Sequence, residues 1–193
     1  GASLTLVIRD PTKVATMQAA LLERTGRQAD QVELADLSLL NQVNALSQRL
    51  LSANKPIDVL INNAGALFND YCQTSEGIEM SVALLLLSPW RLTEALHPLL
   101  AGHDTPARVI NVVSGGMYTQ KLQCASLVMS ADDYRGSVAY ARAKRALTVL
   151  TELWSAQWQD DHIVVNAMHP GWADTPGVQG ALPGFRRLTQ RVL

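Results

Sequence analysis

The apolar residues of this chain alternate between short compact runs and longer stripes with a helical period. Compact apolar runs bounded by turn residues predict strands that are buried in a sheet. Five such runs cover residues 4–8, 32–37, 58–61, 108–113 and 163–168. Between them, apolar residues recur every three or four positions and predict helices over residues 10–26, 39–50, 75–100 and 137–159. This alternation favours an α/β fold with a doubly wound parallel sheet that is covered on both faces.

Proline and glycine mark several boundaries of these helices. Asp10 and Pro11 predict a helix start, because aspartate is a good N-cap and proline fits the first helical position. Gly26 is expected to end the same helix. Pro89 lies inside the long third helix and is expected to kink it, since proline lacks the N–H of the helical hydrogen bond.

The composition of the chain excludes several classes of function. Its 193 residues predict one domain that spans residues 1–193. Sixteen basic and 17 acidic residues leave no field that would attract nucleic acid or an anionic membrane. The longest apolar run, Val82–Leu87, is far shorter than the ~20 residues that a membrane-spanning helix needs. Cys72 and Cys124 are isolated, which argues against a metal site and fits a reducing, cytoplasmic compartment.

Every predicted strand is followed by an unusual short motif. These motifs are Arg9-Asp10, Asp36-Leu37, Asn62-Asn-Ala-Gly65, Ser114-Gly-Gly116 and the stretch from His169 to Thr175. Each one alone could be an ordinary turn. In open α/β sheets, however, ligands bind beyond the carboxyl ends of the strands. Five such motifs in succession therefore favour a ligand site at that edge.

Tyr140 and Lys144 are the clearest candidates for chemistry. Residues four apart lie on one face of a helix, so the phenol and the ammonium should emerge side by side. A neighbouring cation favours the phenolate and is expected to lower the pKa of Tyr140. The alternative is a surface aromatic residue that happens to precede a lysine.

Taken together, these motifs resemble the short-chain dehydrogenase/reductase family. The resemblance rests on Asn62-Asn-Ala-Gly65, Ser114, Tyr140-x-x-x-Lys144 and Pro170-Gly171 with Thr175. The sequences of residues 114–117 and 169–178 are similar to those of the branch that contains dehydrogenase/reductase family member 12. The resemblance implies a Rossmann-like fold and hydride transfer between a nicotinamide nucleotide and a carbonyl or alcohol.

The family pattern also implies a role for individual residues. Tyr140 would be the general acid or base, and Ser114 would donate a hydrogen bond to the substrate oxygen. Lys144 would lower the pKa of Tyr140 and hold the nicotinamide ribose. The remaining cofactor-binding residues would be Asp36 and Leu37 near the adenine, Asn63, Ala64 and Gly65 beside the adenosine ribose, and Pro170, Gly171 and Thr175 beside the nicotinamide carboxamide.

Two features bear on the ligands. Arg9 follows the first strand, where a guanidinium would suit a ribose 2′-phosphate, and this favours NADP(H) over NAD(H). The alternative is a solvated cation at a strand end.

The stretch between Ser114 and Tyr140 contains Met117, Tyr118, Leu122, Leu127 and Met129. By resemblance it suggests a small lipophilic carbonyl or alcohol as substrate, although a packed surface loop is an equal alternative.

Three departures from the family pattern qualify this interpretation. No Gly-x-x-x-Gly-x-Gly turn occurs, so the first strand of the family sheet is expected to be missing, and the last strand as well. Either the chain is a fragment, or the strands at 4–8 and 58–61 close up and pair directly. Leu85 occupies the position of a family asparagine in the proton relay, and Ser88 stands where glycine is common.

The two hypotheses left by the sequence belong to different classes. The first is an oxidoreductase whose catalytic residues are Ser114, Tyr140 and Lys144. The second is a non-catalytic relative that serves as a binding or oligomerisation module. A homodimer or homotetramer is expected in either case, through the third and fourth helices. The apolar residues predicted to form that interface are Leu84 to Leu87, Ala146, Leu150 and Trp154.

Overall fold

The computed structural model describes residues 1–101 and 105–171 and has an α/β fold. Strands β1 to β5 are Thr5–Ile8, Gln31–Leu34, Val59–Asn62, Ala107–Val112 and Ile163–Met168. Helices α1 to α5 are Val14–Thr25, Leu40–Ala53, Met80–Val82, Ser88–Leu100 and Gly136–Gln157. Every predicted strand and helical region is present, and the ends differ from the sequence prediction by a few residues.

The first helical region begins and ends as the sequence predicted. The Asp10 carboxylate accepts a hydrogen bond from the Thr12 amide at 3.0 Å and caps a short 3₁₀ turn that leads into α1. At the other end, Gly26 adopts a left-handed conformation with φ of 74° and closes α1.

The strands form two parallel sheets. One contains β1 and β2, and the other has the order β3-β4-β5. Because the strands of a parallel sheet run in one direction, their carboxyl ends lie at one edge. The residues that follow β3, β4 and β5 are therefore neighbours at the same edge of the three-stranded sheet.

The sheet differs from the sequence prediction in two ways. Direct pairing of β1 with β3 does not occur, since no ladder joins them within residues 1–101 and 105–171. The described strands form an incomplete Rossmann-like sheet. In addition, one face of β3 is open to solvent. Val59 and Ile61, which alternation places on one face of β3, are 46% and 56% exposed.

Two groups of buried apolar residues hold the helices in place. One joins α2 to α4 and includes Val43, Leu46 and Leu96. The other packs α5 against the three-stranded sheet, and Trp154 is only 1% exposed within it. Burial of such large side chains contributes roughly 1.5–3 kcal/mol each.

The predicted self-association surface lies largely inside the second of these groups. Its members in the core are Leu85, Leu86, Ala146 and Trp154, and Leu84 and Leu150 pack against them. These residues therefore stabilise the single chain. A homodimer or homotetramer stays a prediction, and these residues do not support it.

The predicted kink near Pro89 takes the form of a π-turn. Residues Ala83–Leu87 form this wider turn between α3 and α4, and Pro89 follows at the start of α4. Pro89 has no N–H to donate to the carbonyl four residues earlier, which accounts for the local change of helix type. Among the described residues, no helix combines the length and the apolar character needed to cross a membrane.

Candidate active site

Helix α5 brings Tyr140 and Lys144 to the carboxyl end of β4. Lys144 is 3% exposed, and its Nζ donates a hydrogen bond of 2.6 Å to the carbonyl oxygen of Val112, the last residue of β4. The same Nζ lies 6.0 Å from the centre of the Tyr140 ring. The two side chains therefore share a helix face, as their spacing predicted.

Ser114 lies opposite Tyr140, just beyond the end of β4. Its extended backbone, with φ of −146° and ψ of 147°, continues the strand direction before a 3₁₀ turn over Gly115–Thr119. The Ser114 Oγ accepts a hydrogen bond from the Gly116 amide at 3.3 Å, and the Ser114 hydroxyl is close enough to the Tyr140 phenol to lower its pKa. Ser114, Tyr140 and Lys144 are thus brought together.

Burial determines the protonation of both ionisable groups. It lowers the pKa of Lys144 from 10.5 to about 8, because the ammonium has little solvent around it. Burial also raises the pKa of the half-buried Tyr140, and the neighbouring Ser114 hydroxyl opposes this only in part. The expected lowering of the Tyr140 pKa by Lys144 is wrong for this structure. The lysine donates to Val112 instead, and desolvation dominates at the phenol.

The loop after β3 approaches Lys144 through Gly65. A Cβ placed on Gly65 would lie 3.1 Å from the Leu85 side chain and 3.8 Å from Lys144 Nζ. A side chain at this point would press on Leu85 and reach Lys144, so glycine lets the backbone pass close to both residues. Leu85 itself is fully buried and closes the far side of this contact. Asn63 and Ala64 precede Gly65 and are exposed.

The motifs after β1 and β2 follow the strands of the two-stranded sheet. Arg9 is exposed and follows β1 directly. The second strand ends at Leu34, earlier than predicted, because the Asp36 amide turns to the Gln42 side chain at 2.7 Å. The Asp36 carboxylate accepts from the Ser38 amide and hydroxyl at 2.9 and 2.7 Å, and so holds this turn together.

Leu37, in the same turn, packs against the core around α2 and α4. Its side chain therefore has a structural function in addition to its predicted place near a nucleotide.

The motif after β5 is described only in part. Pro170 and Gly171 are exposed, and Gly171 has a φ of 76°, which favours glycine. The Gly171 amide donates to His169 Nδ1 at 3.0 Å. Thr175, the third predicted residue of this motif, lies outside the described residues.

The stretch between Ser114 and Tyr140 divides into packed and open positions. Met117 is buried and contacts the Thr148 hydroxyl through its sulfur at 2.9 Å, and Met129 is also buried. In contrast, Tyr118 and Leu122 are 77% and 37% exposed. Part of this stretch is therefore a packed loop, and the lipophilic substrate stays a prediction.

Comparison with known proteins decides the family. The model of the short chain dehydrogenase family matches residues 1–183. The chain belongs to the short-chain dehydrogenase family. Human dehydrogenase/reductase SDR family member 12 is 37% identical over 185 residues, which are 96% of this chain and 57% of that protein. The predicted family and branch are thereby confirmed.

Two further proteins support membership in this family. Retinol dehydrogenase 14 of Mus musculus is 34% identical over 140 residues, or 72% of this chain and 41% of that protein. A short-chain dehydrogenase from Sphingobium yanoikuyae, solved in complex with NADPH, is 25% identical with a TM-score of 0.70. That alignment covers 94% of this chain and 65% of the solved one. The chain spans about half the length of the curated relatives it matches.

Sequence reasoning missed a buried polar network beneath this site. The Asn62 amide donates to the Asn111 side chain at 2.8 Å and to Thr93 at 2.9 Å, and Asn111 donates to Thr151 at 2.9 Å. The network joins β3 and β4 to helices α4 and α5. Asn111, an asparagine within the apolar strand 108–113, could have indicated this network, because a buried amide requires hydrogen-bond partners.

Proposed function

We propose that this short-chain dehydrogenase is an NADP(H)-dependent oxidoreductase that interconverts a carbonyl and an alcohol on a small lipophilic substrate. The observation that carries the proposal is the convergence of Ser114, Tyr140 and Lys144 beside Gly65. The two hydroxyls lie close enough to one another for both to donate to one substrate oxygen. Lysine is seldom buried in proteins, so the buried Lys144 beside this pair supports a catalytic role over a purely structural one.

Tyr140 is the acid in the reducing direction. Its raised pKa keeps the phenol protonated at neutral pH, so the group is ready to donate a proton to the developing alkoxide. Ser114 supports the same oxygen with a second hydrogen bond, which stabilises the charge that forms there. In the oxidising direction Tyr140 would accept the proton from the alcohol.

The residues around Lys144 fit a nicotinamide nucleotide. Gly65 brings the loop backbone close to Lys144 without a side chain between them, so the backbone and the lysine could contact the same ribose. Asn63 and Ala64 beside it, and Pro170 and Gly171 after β5, are exposed and are available to the nucleotide. When bound, NADPH supplies the hydride. Lys144 would orient the ribose hydroxyls beside Tyr140.

A lipophilic substrate is supported by the open part of the loop between Ser114 and Tyr140. Tyr118, on the turn that follows Ser114, and Leu122 are exposed and present apolar surface to solvent. Retinol dehydrogenase 14, one of the relatives, is named for a lipophilic alcohol. The preference for NADP(H) draws support from the exposed guanidinium of Arg9 and from the NADPH complex of the Sphingobium enzyme.

Replacement of Arg9 tests both the cofactor and the site. Arg9→Ala is expected to weaken NADPH binding by roughly 10-fold, because one charge-assisted pair with the 2′-phosphate is lost. NADH binding should change little, since NADH lacks that phosphate. Fluorescence titration of the protein with each nucleotide measures both affinities.

Arg24→Ala, another exposed arginine on α1, is the matched control and should leave both affinities unchanged. Equal weakening of NADPH and NADH in Arg9→Ala would refute the assigned role of Arg9. Absence of binding of either nucleotide to the unchanged protein would favour the second hypothesis, a binding or oligomerisation module.

A further inference from the structure

The hydroxyl of Tyr134 lies where three segments of the chain meet. It is 3.1 Å from the Ser81 hydroxyl in α3, and it donates toward the Phe68 carbonyl at 3.1 Å. The Glu79 carboxylate lies 3.2 Å from the same oxygen. Tyr134 precedes the first residue of α5 by two positions. One phenol thus joins the loop after Gly65, the start of α3 and the approach to α5.

Glu79 makes this junction rigid. Its side chain is 2% exposed and caps α3, accepting hydrogen bonds from the Ser81 and Val82 amides at 2.8 and 3.0 Å. A carboxylate held by two backbone amides has little freedom to move. The acceptor that it offers to Tyr134 is therefore fixed in place.

Packing at the start of α5 gives independent support to the same junction. A Cβ on Gly136 would lie 2.0 Å from the Phe68 carbonyl oxygen, so the helix start rests directly on the loop backbone. The Tyr134 ring also meets the Tyr71 ring edge-on, with centres 5.5 Å apart. The Cys72 carbonyl accepts from the Met80 amide at 3.0 Å and ties the end of the loop to α3.

This junction connects the two halves of the candidate active site. Gly65, close to Lys144, is three residues before Phe68 along the loop. Tyr140 is six residues after Tyr134, and Lys144 is four further along the same helix. A shift between loop and helix at the junction would change the distance between Gly65 and the lysine. Such a change would weaken the contacts that the loop backbone offers to a nucleotide beside Lys144.

We propose that Tyr134, held by Glu79, is a positioning residue that fixes the loop from Asn63 to Cys72 against helix α5. This inference rests on the proposed function, because the loop matters to catalysis only if it binds NADP(H). The hydroxyl does not contact substrate or cofactor. It acts by holding the loop at the distance from Lys144 that the nucleotide requires.

Tyr134→Phe tests the inference because it removes only the hydroxyl and keeps the ring contact with Tyr71. The Michaelis constant for NADPH is expected to rise roughly 10-fold, since one buried hydrogen-bonding group is lost at the loop. The kcat at saturating NADPH should stay within about threefold, because the loop contributes uniform binding rather than chemistry. Hydrogen exchange of the amides in residues 68–73 should become faster.

Two other variants keep the test decisive. Tyr71→Phe removes a hydroxyl from the partner ring and should leave the NADPH constant unchanged. Ser81→Ala removes one partner of Tyr134 and should give a smaller shift in the same direction. An unchanged NADPH constant in Tyr134→Phe, or a loss of kcat alone, would overturn the positioning role. If the unchanged protein showed neither NADPH binding nor turnover, the proposed function would fail instead, whereas the exchange measurement would still report whether Tyr134 holds the loop.

Discussion

Tyr140→Phe is expected to lower kcat by roughly 100- to 10,000-fold, the range that positioned proton transfer contributes to catalysis. The phenylalanine ring fills the same half-buried space, so folding should be preserved. The lost group is the phenol that lies beside Ser114 and is assigned as the proton donor to the substrate oxygen. NADPH affinity should change by less than about threefold, since Lys144 and the loop at Gly65 are unaltered.

Trp90→Phe is the control for this substitution. Trp90 lies on α4 and is 40% exposed, so its replacement should not change the rate. Steady-state rates of NADPH consumption with a lipophilic aldehyde give kcat for the variant and for its control. A Tyr140→Phe protein that kept more than about a tenth of the normal kcat would remove Tyr140 from the role of acid.

The second large effect concerns stability at high pH. Lys144 has its pKa lowered from 10.5 to about 8 by burial. Between these values the folded protein releases a proton that the unfolded chain retains, so the free energy of unfolding rises with pH. The rise should total about 3 kcal/mol between pH 8 and 10.5. This rise in the free energy of unfolding should be absent in Lys144→Met, because methionine carries no charge at any pH.

Chemical denaturation at several pH values between 7 and 10.5 measures this difference. The quantity of interest is the unfolding free energy of the unchanged protein minus that of Lys144→Met, since other titrating groups cancel in it. Lys55→Met, at an exposed position, is the control and should keep the full rise. If the difference between the unchanged protein and Lys144→Met did not change with pH, the lysine would not be desolvated as described.

Local patterns in the sequence were sufficient for most of the fold. Compact apolar runs and helical stripes located the strands and helices, because burial enforces these periods wherever an element packs on a core. They could not determine how the strands associate, which depends on contacts between distant segments. Exposure of Val59 and Ile61 was missed for this reason, since an apolar run looks the same whether one face of a strand is covered or both.

The candidate site was also predictable in part. Ser114 and the Tyr140–Lys144 pair were found because strand ends and i, i+4 spacing are local features. The direction of the Tyr140 pKa shift could not be predicted, because the burial of the phenol and the hydrogen bond of Lys144 to Val112 arise only in the folded chain. The contacts of Tyr134 were missed for a similar reason, since its partners lie 53 to 66 residues away.

Hydride transfer itself can be measured most directly with NADPH that carries deuterium at the transferable position. The protein, in excess over a lipophilic aldehyde, is mixed with the labelled nucleotide, and the products are analysed by mass spectrometry. An oxidoreductase with Ser114, Tyr140 and Lys144 as its site should yield an alcohol with one deuterium on the former carbonyl carbon, and Tyr140→Phe should yield almost none. Failure of the unchanged protein to form any labelled alcohol across a panel of lipophilic aldehydes and ketones would contradict the assignment of a hydride-transfer site.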